Sequence, residues 1–161
     1  GLLLVARTVS ARLALLKLFK ERAIHKRYRA LVVGRLEGEG TVDTPLDGRE
    51  CLTRWSAVEH TRSLHVDWFT TVALEPVTGR THQLRRHMAE MGHPILGDDV
   101  YTGSEKLLRR QGLFLASLHL SFKHPMTGES IAIDANEPRK YQVLREREAR
   151  RWERHHGDTS D

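Results

Sequence analysis

Residues 75–87 have the sequence EPVTGRTHQLRRH, in which a turn is followed at once by a helix. Pro76 and Gly79 place a loop after a β-rich segment. Residues 82–91 are predicted to be helical, with Gly92 at the position that commonly ends a helix. The first amides of a helix are free to bind an anion, and the helix dipole adds positive potential there. The stretch therefore predicts an anion site where a strand ends and a helix begins.

Arginine and histidine side chains make this predicted site cationic. Arg80 lies in the turn, and Arg85 falls one turn into the helix on the same face as His82. Arg86 extends that face, so a phosphate or a carboxylate is the expected ligand. In the alternative interpretation, Thr81 is an ordinary helix N-cap and the arginines face solvent.

The histidine and cysteine pattern argues against metal and disulfide chemistry. His82, His87 and His93 are not spaced to share one helical face, and no cysteine or glutamate completes a ligand set, so no metal is expected. Cys51 is the one cysteine of the chain, which excludes an internal disulfide framework and favours a reducing compartment. The predicted location is intracellular, in the cytoplasm or an organelle matrix.

The composition bounds the class of protein. The chain has 161 residues, of which 39% are hydrophobic, enough for one domain with a buried core. Lys and Arg number 26 against 21 Asp and Glu, a net charge of +5. A basic protein tends to bind polyanions, above all nucleic acids, although the same charge also serves ordinary solubility. No apolar stretch approaches the roughly 20 residues that span a bilayer, so no membrane partner is expected.

Short strands and a few helices are predicted on both sides of the opening stretch. The predicted strands are residues 1–7, 26–36, 55–59, 65–74, 113–122 and 130–133, and the predicted helices are 11–23 with Ser10 as N-cap, 82–91, 105–110 and 138–155. Gly38 and Gly40 are expected to end the second strand, and residues 61–63 to form a hairpin turn. Because hairpins prevail over crossover helices, the pattern predicts an α+β fold with a mixed, largely antiparallel sheet and flanking helices.

Three stretches, in the same order along the chain, resemble motifs of the RluA-type pseudouridine synthases. They are residues 78–87 (TGRTHQLRRH) continued by 92–98 (GHPILGD) and Tyr101, residues 26–34 (KRYRALVVG), and residues 124–129 (HPMTGE). The resemblance covers about residues 1–135. It implies that residues 1–137 are the C-terminal portion of a pseudouridine synthase catalytic domain. Residues 138–161 then form a charged helix or tail, whose Arg and Glu side chains are expected to face solvent.

The resemblance implies an enzyme that isomerises uridine to pseudouridine in structured RNA, either rRNA or tRNA. Such an enzyme flips the target base out of its stack and uses a carboxylate as nucleophile. The reaction is a redox-neutral isomerisation, so no metal and no organic cofactor are implied. RNA is the expected partner, and a monomer is the expected oligomeric state. The alternative is a non-catalytic RNA-binding or ribosome-associated homologue.

The same resemblance assigns roles to individual residues. Tyr28 is expected to stack on the flipped uracil and to take the proton from carbon 5, and its alternative is a tyrosine packed under the sheet. Arg85 is expected to orient the nucleophilic aspartate through a bidentate pair. Arg80, Thr81, His82 and Arg86 are expected to contact the RNA backbone, although a purely structural role fits the first three equally well.

One expected residue is missing from the chain. The family's early motif, His-Arg-Leu-Asp-x-x-Thr-Ser-Gly, carries the catalytic aspartate, and Gly1 matches its last glycine. The aspartate is therefore expected before Gly1, and this chain alone is expected to be inactive. Asp98 and the other aspartates considered, Asp43, Asp47, Asp67 and Asp99, do not lie in a matching context. The presence of both Tyr28 and Arg85 favours the enzyme over the non-catalytic alternative.

Overall fold

The computed structural model describes residues 1–102 and 111–157, which form one antiparallel sheet flanked by helices. In chain order the elements are α1 (Val9–Lys20), β1 (His25–Val33), β2 (Glu39–Val42), β3 (Thr53–Ser63), β4 (Asp67–Pro76), α2 (Gln83–Glu90), β5 (Leu115–Lys123), β6 (Ser130–Asp134) and α3 (Arg139–Gly157). The sheet order is β2-β3-β4-β1-β5-β6. The predicted α+β class is confirmed, and every strand pair in the described residues is antiparallel.

Strand β1 lies at the centre of the sheet because its second half is a continuous apolar run. Ala30, Leu31 and Val32 are completely buried, and all three pair with β4 on one side. On the other side Ala30 pairs with β5, while Leu31 and Val32 contact the loop residues Phe114 and Ile95. A strand that is covered on both faces needs apolar residues at successive positions rather than in alternation. The motif strand predicted at residues 26–36 thus forms the centre of the main core.

The two faces of the sheet carry different helices. Tyr28 pairs with Leu74, and directly paired residues point to the same face. On that face, Tyr28 and Leu84 of α2 line a common cavity. Arg29 points to the other face, where Tyr141 of α3 donates from its hydroxyl to the Arg29 carbonyl at 3.5 Å. Helices α2 and α3 therefore cover opposite faces of the sheet.

The apolar segment at residues 1–7 is not a strand, which corrects the prediction. Leu2 N donates to the Ser117 carbonyl at 2.8 Å, but no ladder of hydrogen bonds continues from it within the described residues. Leu2 and Leu4 pack against a small cluster around Phe122, whereas Leu3 is 85% exposed. Buried and exposed side chains therefore alternate along the segment as they do in a strand, but its backbone is bonded to the sheet through one isolated hydrogen bond.

Strand β2 is an element that the sequence did not predict: β1 ends at Val33, before both glycines, but Gly40 lies inside a new strand. Gly40 lies opposite Trp55 in the β2–β3 ladder. A Cβ atom at Gly40 would stand 3.1 Å from the indole ring, tighter than an ordinary contact. The glycine therefore admits the Trp55 ring against the backbone instead of breaking the strand.

Other boundaries shift by a few residues. Helix α1 begins at Val9 because the Thr8 hydroxyl, and not Ser10, caps it by accepting from Ala11 N at 3.1 Å. Strand β3 is longer than predicted, β4 is shifted by two residues toward the C-terminus, and their turn lies at residues 64–66 instead of 61–63. Gly92 follows α2 with φ +79°, as the sequence predicts. The helix predicted at 105–110 lies outside the described residues.

Helix α3 is part of the packed structure, and its charges do not all face solvent. Tyr141 and Leu144 are buried in the main core, and Glu148 is 2% exposed. The buried Glu148 carboxylate accepts from Ser63 Oγ at 2.8 Å and also pairs with two arginines of its own helix. Each helix in the described residues is too short or too polar to span a lipid bilayer.

Candidate active site

A cavity of about 210 Å³ on the α2 face of the sheet brings together four of the predicted site residues. Its lining consists of Lys26, Tyr28, Pro76, Thr78, Gly79, Arg80, His82, Gln83, Leu84, Arg85 and Leu115. Tyr28, Arg80, His82 and Arg85 are among them, whereas Thr81 and Arg86 are not. Among the described residues that line the cavity, Lys26, Arg80 and Arg85 are positively charged, and none is acidic.

Gln83 holds the turn that carries Arg80 in place. Its side-chain oxygen accepts from Thr78 Oγ1 at 2.7 Å and from Arg80 N at 3.0 Å. Its amide nitrogen donates to the Leu52 carbonyl at 2.9 Å and to Thr53 Oγ1 at 3.0 Å. A buried amide with its donors and acceptor satisfied is rigid. Gln83 lies inside the recognised motif, but local sequence gave no sign of this role, because two of its partners are 31 and 30 residues away.

His82 precedes α2 in a left-handed conformation, with φ +52°. Its side chain makes no capping bond, and Thr81 is not the N-cap, so the alternative interpretation of Thr81 is wrong. The His82 ring is held from two sides instead. Nδ1 lies 3.1 Å from the Tyr101 hydroxyl, and Nε2 lies 3.4 Å from Arg85 Nη1. A non-glycine residue at positive φ is a strained conformation of the kind that concentrates at functional sites.

Arg85 is held by Asp98, a carboxylate for which the motif resemblance predicted no role. Its Nε donates to Asp98 Oδ2 at 2.7 Å, and its Nη2 donates to Asp98 Oδ1 at 2.8 Å. Asp98 also accepts from the backbone amides of Val100 and Tyr101 at 2.9 and 3.0 Å. Burial alone would raise the pKa of Asp98, but these donors outweigh it and hold the pKa below its ordinary value. The same pair raises the pKa of Arg85.

Gly97 allows Asp98 to reach this position. A Cβ at Gly97 would stand 2.2 Å from the Gly112 carbonyl oxygen, and the residue has φ +74°. Only glycine fits there, which explains the Gly-Asp pair in the GHPILGD stretch. The neighbouring Leu96 is 1% exposed and bonds β1 through its amide, donating to the Leu31 carbonyl at 2.8 Å. The signal for Asp98 was therefore in the motif, although its partner was not evident.

Tyr28 projects from β1 into the cavity and lies opposite Ser117 of β5. Burial raises the pKa of the Tyr28 phenol, and a hydrogen bond with the Ser117 side chain acts in the opposite direction. The phenol is therefore protonated near neutral pH.

Arg86 points away from the cavity, which corrects the view that it extends the face of His82 and Arg85. Its Nη1 and Nη2 donate to the two carboxylate oxygens of Asp47 at 2.9 and 3.2 Å. This bond and the arginine charge hold the pKa of Asp47 below its ordinary value. Arg86 is thus occupied by a loop of its own chain.

His87 and His93 serve the fold. His87 is completely buried, and its Nε2 donates to the Thr44 carbonyl at 3.1 Å while Nδ1 accepts from Thr53 Oγ1 at 2.9 Å. His93 donates from Nδ1 to the Val33 carbonyl at 2.8 Å. His87 thus ties α2 to residues 44 and 53, and His93 ties the segment after α2 to the end of β1, through hydrogen bonds of their ring nitrogens.

Comparison with known proteins identifies the type of domain. The family model described as RNA pseudouridylate synthase matches residues 1–90. The Ribosomal large subunit pseudouridine synthase D of Xanthomonas campestris pv. campestris is 35% identical over 170 residues, covering 89% of this chain and 50% of the relative. The Dual-specificity RNA pseudouridine synthase RluA of Vibrio cholerae is 39% identical over 141 residues, covering 78% of this chain and 56% of the relative. The chain spans about half the length of the curated relatives it matches.

Solved structures agree in fold. The human RNA Pseudouridylate Synthase Domain Containing 1 superposes with a TM-score of 0.71 at 29% identity, over 83% of this chain and 63% of that one. The human RNA Pseudouridylate Synthase Domain Containing 4 has a TM-score of 0.67 at 21% identity, over 87% and 69%, and shows the fold alone. The family model, the curated relatives and the resemblance of the sequence motifs agree, and this chain belongs to the RluA-type RNA pseudouridylate synthase family.

Proposed function

We propose that this chain forms the uridine-binding part of an enzyme that converts uridine to pseudouridine in ribosomal or transfer RNA. The observation that carries the proposal is the cavity shared by Tyr28, Arg80, His82 and Arg85. An aromatic ring beside several cations is the arrangement that binds a base together with its phosphates. The names of the relatives, which include ribosomal large subunit and dual-specificity synthases, support RNA of these classes as substrate.

Tyr28 is proposed to hold the flipped uracil. Leu84 and Leu115 supply apolar walls to the same cavity, so a base that leaves its stack regains contact area there. After the glycosidic bond between N1 and the ribose breaks, the base rotates and carbon 5 bonds to the ribose. The proton on carbon 5 must then leave. The proposed acceptor is the Tyr28 oxygen in its phenolate form, after the phenol has released its own proton to solvent. The hydrogen bond with Ser117 stabilises this phenolate, which becomes the neutral phenol when it takes the proton from carbon 5.

Arg85 is proposed to orient the nucleophilic carboxylate. Asp98 occupies the edge of the guanidinium formed by Nε and Nη2. The edge formed by Nη1 and Nη2 can bind a second carboxylate, because a guanidinium presents N–H donors on both edges. The exposed Asp99 carboxylate already lies 3.8 Å from Nη2. Asp98 is therefore a positioning residue in this proposal, and Arg85 is the contact to the nucleophile.

Asp98 itself is a poor candidate for the nucleophile. Its carboxylate is completely buried and accepts four hydrogen bonds, which stabilise its charge and lower its reactivity. We therefore assign the nucleophilic aspartate to sequence outside these 161 residues, and we expect the chain alone to leave uridine unchanged. Incubation with RNA carrying tritium at carbon 5 of uridine tests this, since pseudouridine formation releases the label. Sustained release by the chain alone would contradict the proposal.

Arg85→Lys tests the positioning role when the chain is joined to the aspartate-bearing segment of a relative. Lysine keeps the charge but cannot hold Asp98 and a second carboxylate at once, so we expect a loss of roughly 100-fold in tritium release. RNA affinity should remain, because Arg85 is assigned to the nucleophile and lysine keeps its positive charge. Loss of binding with unchanged chemistry in the bound fraction would move Arg85 to phosphate recognition.

Tyr28→Phe, in the same joined protein, separates stacking from proton transfer. The ring is retained, so RNA binding and glycosidic cleavage should persist, while formation of free pseudouridine should stall without the hydroxyl. Single-turnover chromatography of the base measures the stalled species. Near-normal formation of pseudouridine would show that Tyr28 only stacks.

A further inference from the structure

A second cavity of about 420 Å³ adjoins the proposed uridine site on the side of α1. Its lining consists of Phe19, Lys20, Arg22, Ile24, Lys26, Pro76, Val77, Thr78, Gly79 and Arg80. Lys26 and Arg80 line both cavities, so the two adjoin at the turn that contains Gly79. We call the second cavity the basic cleft.

The basic cleft is distinguished by cations without counterions. Lys20, Arg22, Lys26 and Arg80 line it without an acidic residue, and none of them has an ion-pair partner in the part of the chain that the structure describes. Arg86, by contrast, is neutralised by Asp47. Four uncompensated positive charges around one concavity create a strong local potential for an anion.

Contacts within the chain position the residues around the basic cleft. Arg22 follows α1 in a left-handed conformation, with φ +57°, and its amide donates to the Phe19 carbonyl at 3.2 Å. Lys26 Nζ lies 5.3 Å from the centre of the Phe19 ring, which orients the ammonium by a cation–π contact. Arg80 reaches the Glu50 carbonyl with Nε and Nη2, each at 3.4 Å. The cations therefore converge because the fold holds their backbones in place.

We propose that the basic cleft binds the phosphates of the RNA strand next to the flipped uridine, an inference that rests on the proposed function. With the base against Tyr28, the phosphate of that nucleotide lies near Lys26 and Arg80, which border both cavities. The neighbouring phosphate then reaches Lys20 and Arg22. This contact is independent of base sequence and adds affinity through release of counterions.

The charge pattern favours this cleft over the other basic surfaces of the chain. Helix α3 lies on the opposite face of the sheet, and its Arg145, Arg147 and Arg151 pair with glutamates. Arg86, which was predicted to contact the RNA backbone, already holds Asp47. A phosphate at the basic cleft displaces no counterion of the protein's own, so the full electrostatic attraction is available there.

The test is RNA binding by the double variant Lys20→Ala/Arg22→Ala, because neither residue lines the proposed uridine site. The matched control is Arg139→Ala/Arg154→Ala, which removes the same charge from α3. Affinity for a labelled RNA hairpin with one loop uridine is measured by fluorescence anisotropy from about 50 to about 300 mM salt. We expect the cleft variant to bind roughly tenfold more weakly at about 100 mM salt and to lose about 2 from the slope of log K against log salt.

Each outcome decides a different statement. A reduced slope in the cleft variant and an unchanged slope in the control support the basic cleft. The basic cleft is not the phosphate site if the unmodified chain binds RNA and the cleft variant has the same affinity and salt slope as the unmodified chain or as the control variant. The proposed function stands in that case. If the unmodified chain fails to bind RNA at any salt concentration, the proposed function fails with it. Melting temperatures of both variants exclude a loss through unfolding.

Discussion

Asp98 determines how Arg85 is presented to the cavity. The carboxylate is completely buried, while the Arg85 side chain is 14% exposed, so the pair lies largely out of water. A buried charge of this kind is tolerated because four donors satisfy it. Asp47 makes a similar fork with Arg86 but is 70% exposed, so solvent screens that pair. Two chemically equal pairs therefore differ greatly in their consequences for stability.

Asp98→Asn is predicted to lower the free energy of unfolding at pH 7 by about 3 kcal/mol, since it breaks a buried pair. The folded-state pKa of Asp98 lies below its ordinary value, so the unfolded state binds the proton more readily. The stabilisation is complete above about pH 5 and is lost as the pH falls from about 4 through the folded pKa. Urea unfolding of both proteins between pH 7 and 3 measures the difference. A difference that does not shrink below pH 4 would contradict this prediction, and Asp47→Asn, the exposed control, should change stability far less.

At the scale of elements, α1 turns part of its apolar surface to solvent. Leu15 and Leu18 pack against the small cluster of Ile24, Leu120 and Phe122. Leu13 and Leu16 are 57% and 53% exposed. Both pairs follow helical spacing, so hydrophobic periodicity alone indicates an amphipathic helix without showing which apolar residues are covered.

Leu18→Ala is predicted to lower the free energy of unfolding by about 1–2 kcal/mol, because a partly buried side chain loses its contacts. Leu13→Ala is the matched control on the same helix and should change the free energy of unfolding by no more than about 0.5 kcal/mol. Urea unfolding with circular dichroism measures both. Equal losses in the two variants would show that α1 packs in solution on a different face.

At the scale of the whole molecule, the sheet keeps helix α3 apart from the proposed uridine site. The proposed uridine site and α2 lie on one face, and α3 lies on the other, where Glu148 bonds Ser63 across 85 residues of sequence. Arg145 extends this contact by pairing with Glu59 and Glu137. Helix α3 therefore acts as a cover for the back of the sheet, with no residue in the proposed uridine site.

Glu148→Ala is predicted to lower the free energy of unfolding by about 2 kcal/mol, because Ser63 loses a buried partner and two arginines lose their counterion. RNA affinity of the folded protein should remain unchanged. Glu146→Ala is the control, since its carboxylate is 49% exposed and forms a helical surface pair with Arg150. A loss of RNA affinity in Glu148→Ala at a temperature where the protein is folded would show that the two faces are coupled.

Local sequence determined most of the elements and the family. The turn at Gly79 and the helix after it follow from neighbouring residues, and so does the motif strand with Tyr28, because turn chemistry and periodicity act over a few positions. Of the six site residues that the sequence predicted, Tyr28, Arg80, His82 and Arg85 line one cavity, whereas Thr81 and Arg86 do not.

Tertiary structure decided which groups pair and which remain free. Arg85 meets Asp98 across 13 residues, and Thr53 joins Gln83 and His87 across 30 and 34. The basic cleft likewise joins the end of α1 to the turn before α2, which have no local relation in sequence. Charge counts show how many cations a chain has, but only packing brings each one to a carboxylate or leaves it without one. Because the attraction between charges depends on their distance in space, Arg80 and Arg86 are expected to play different roles although they are close in sequence.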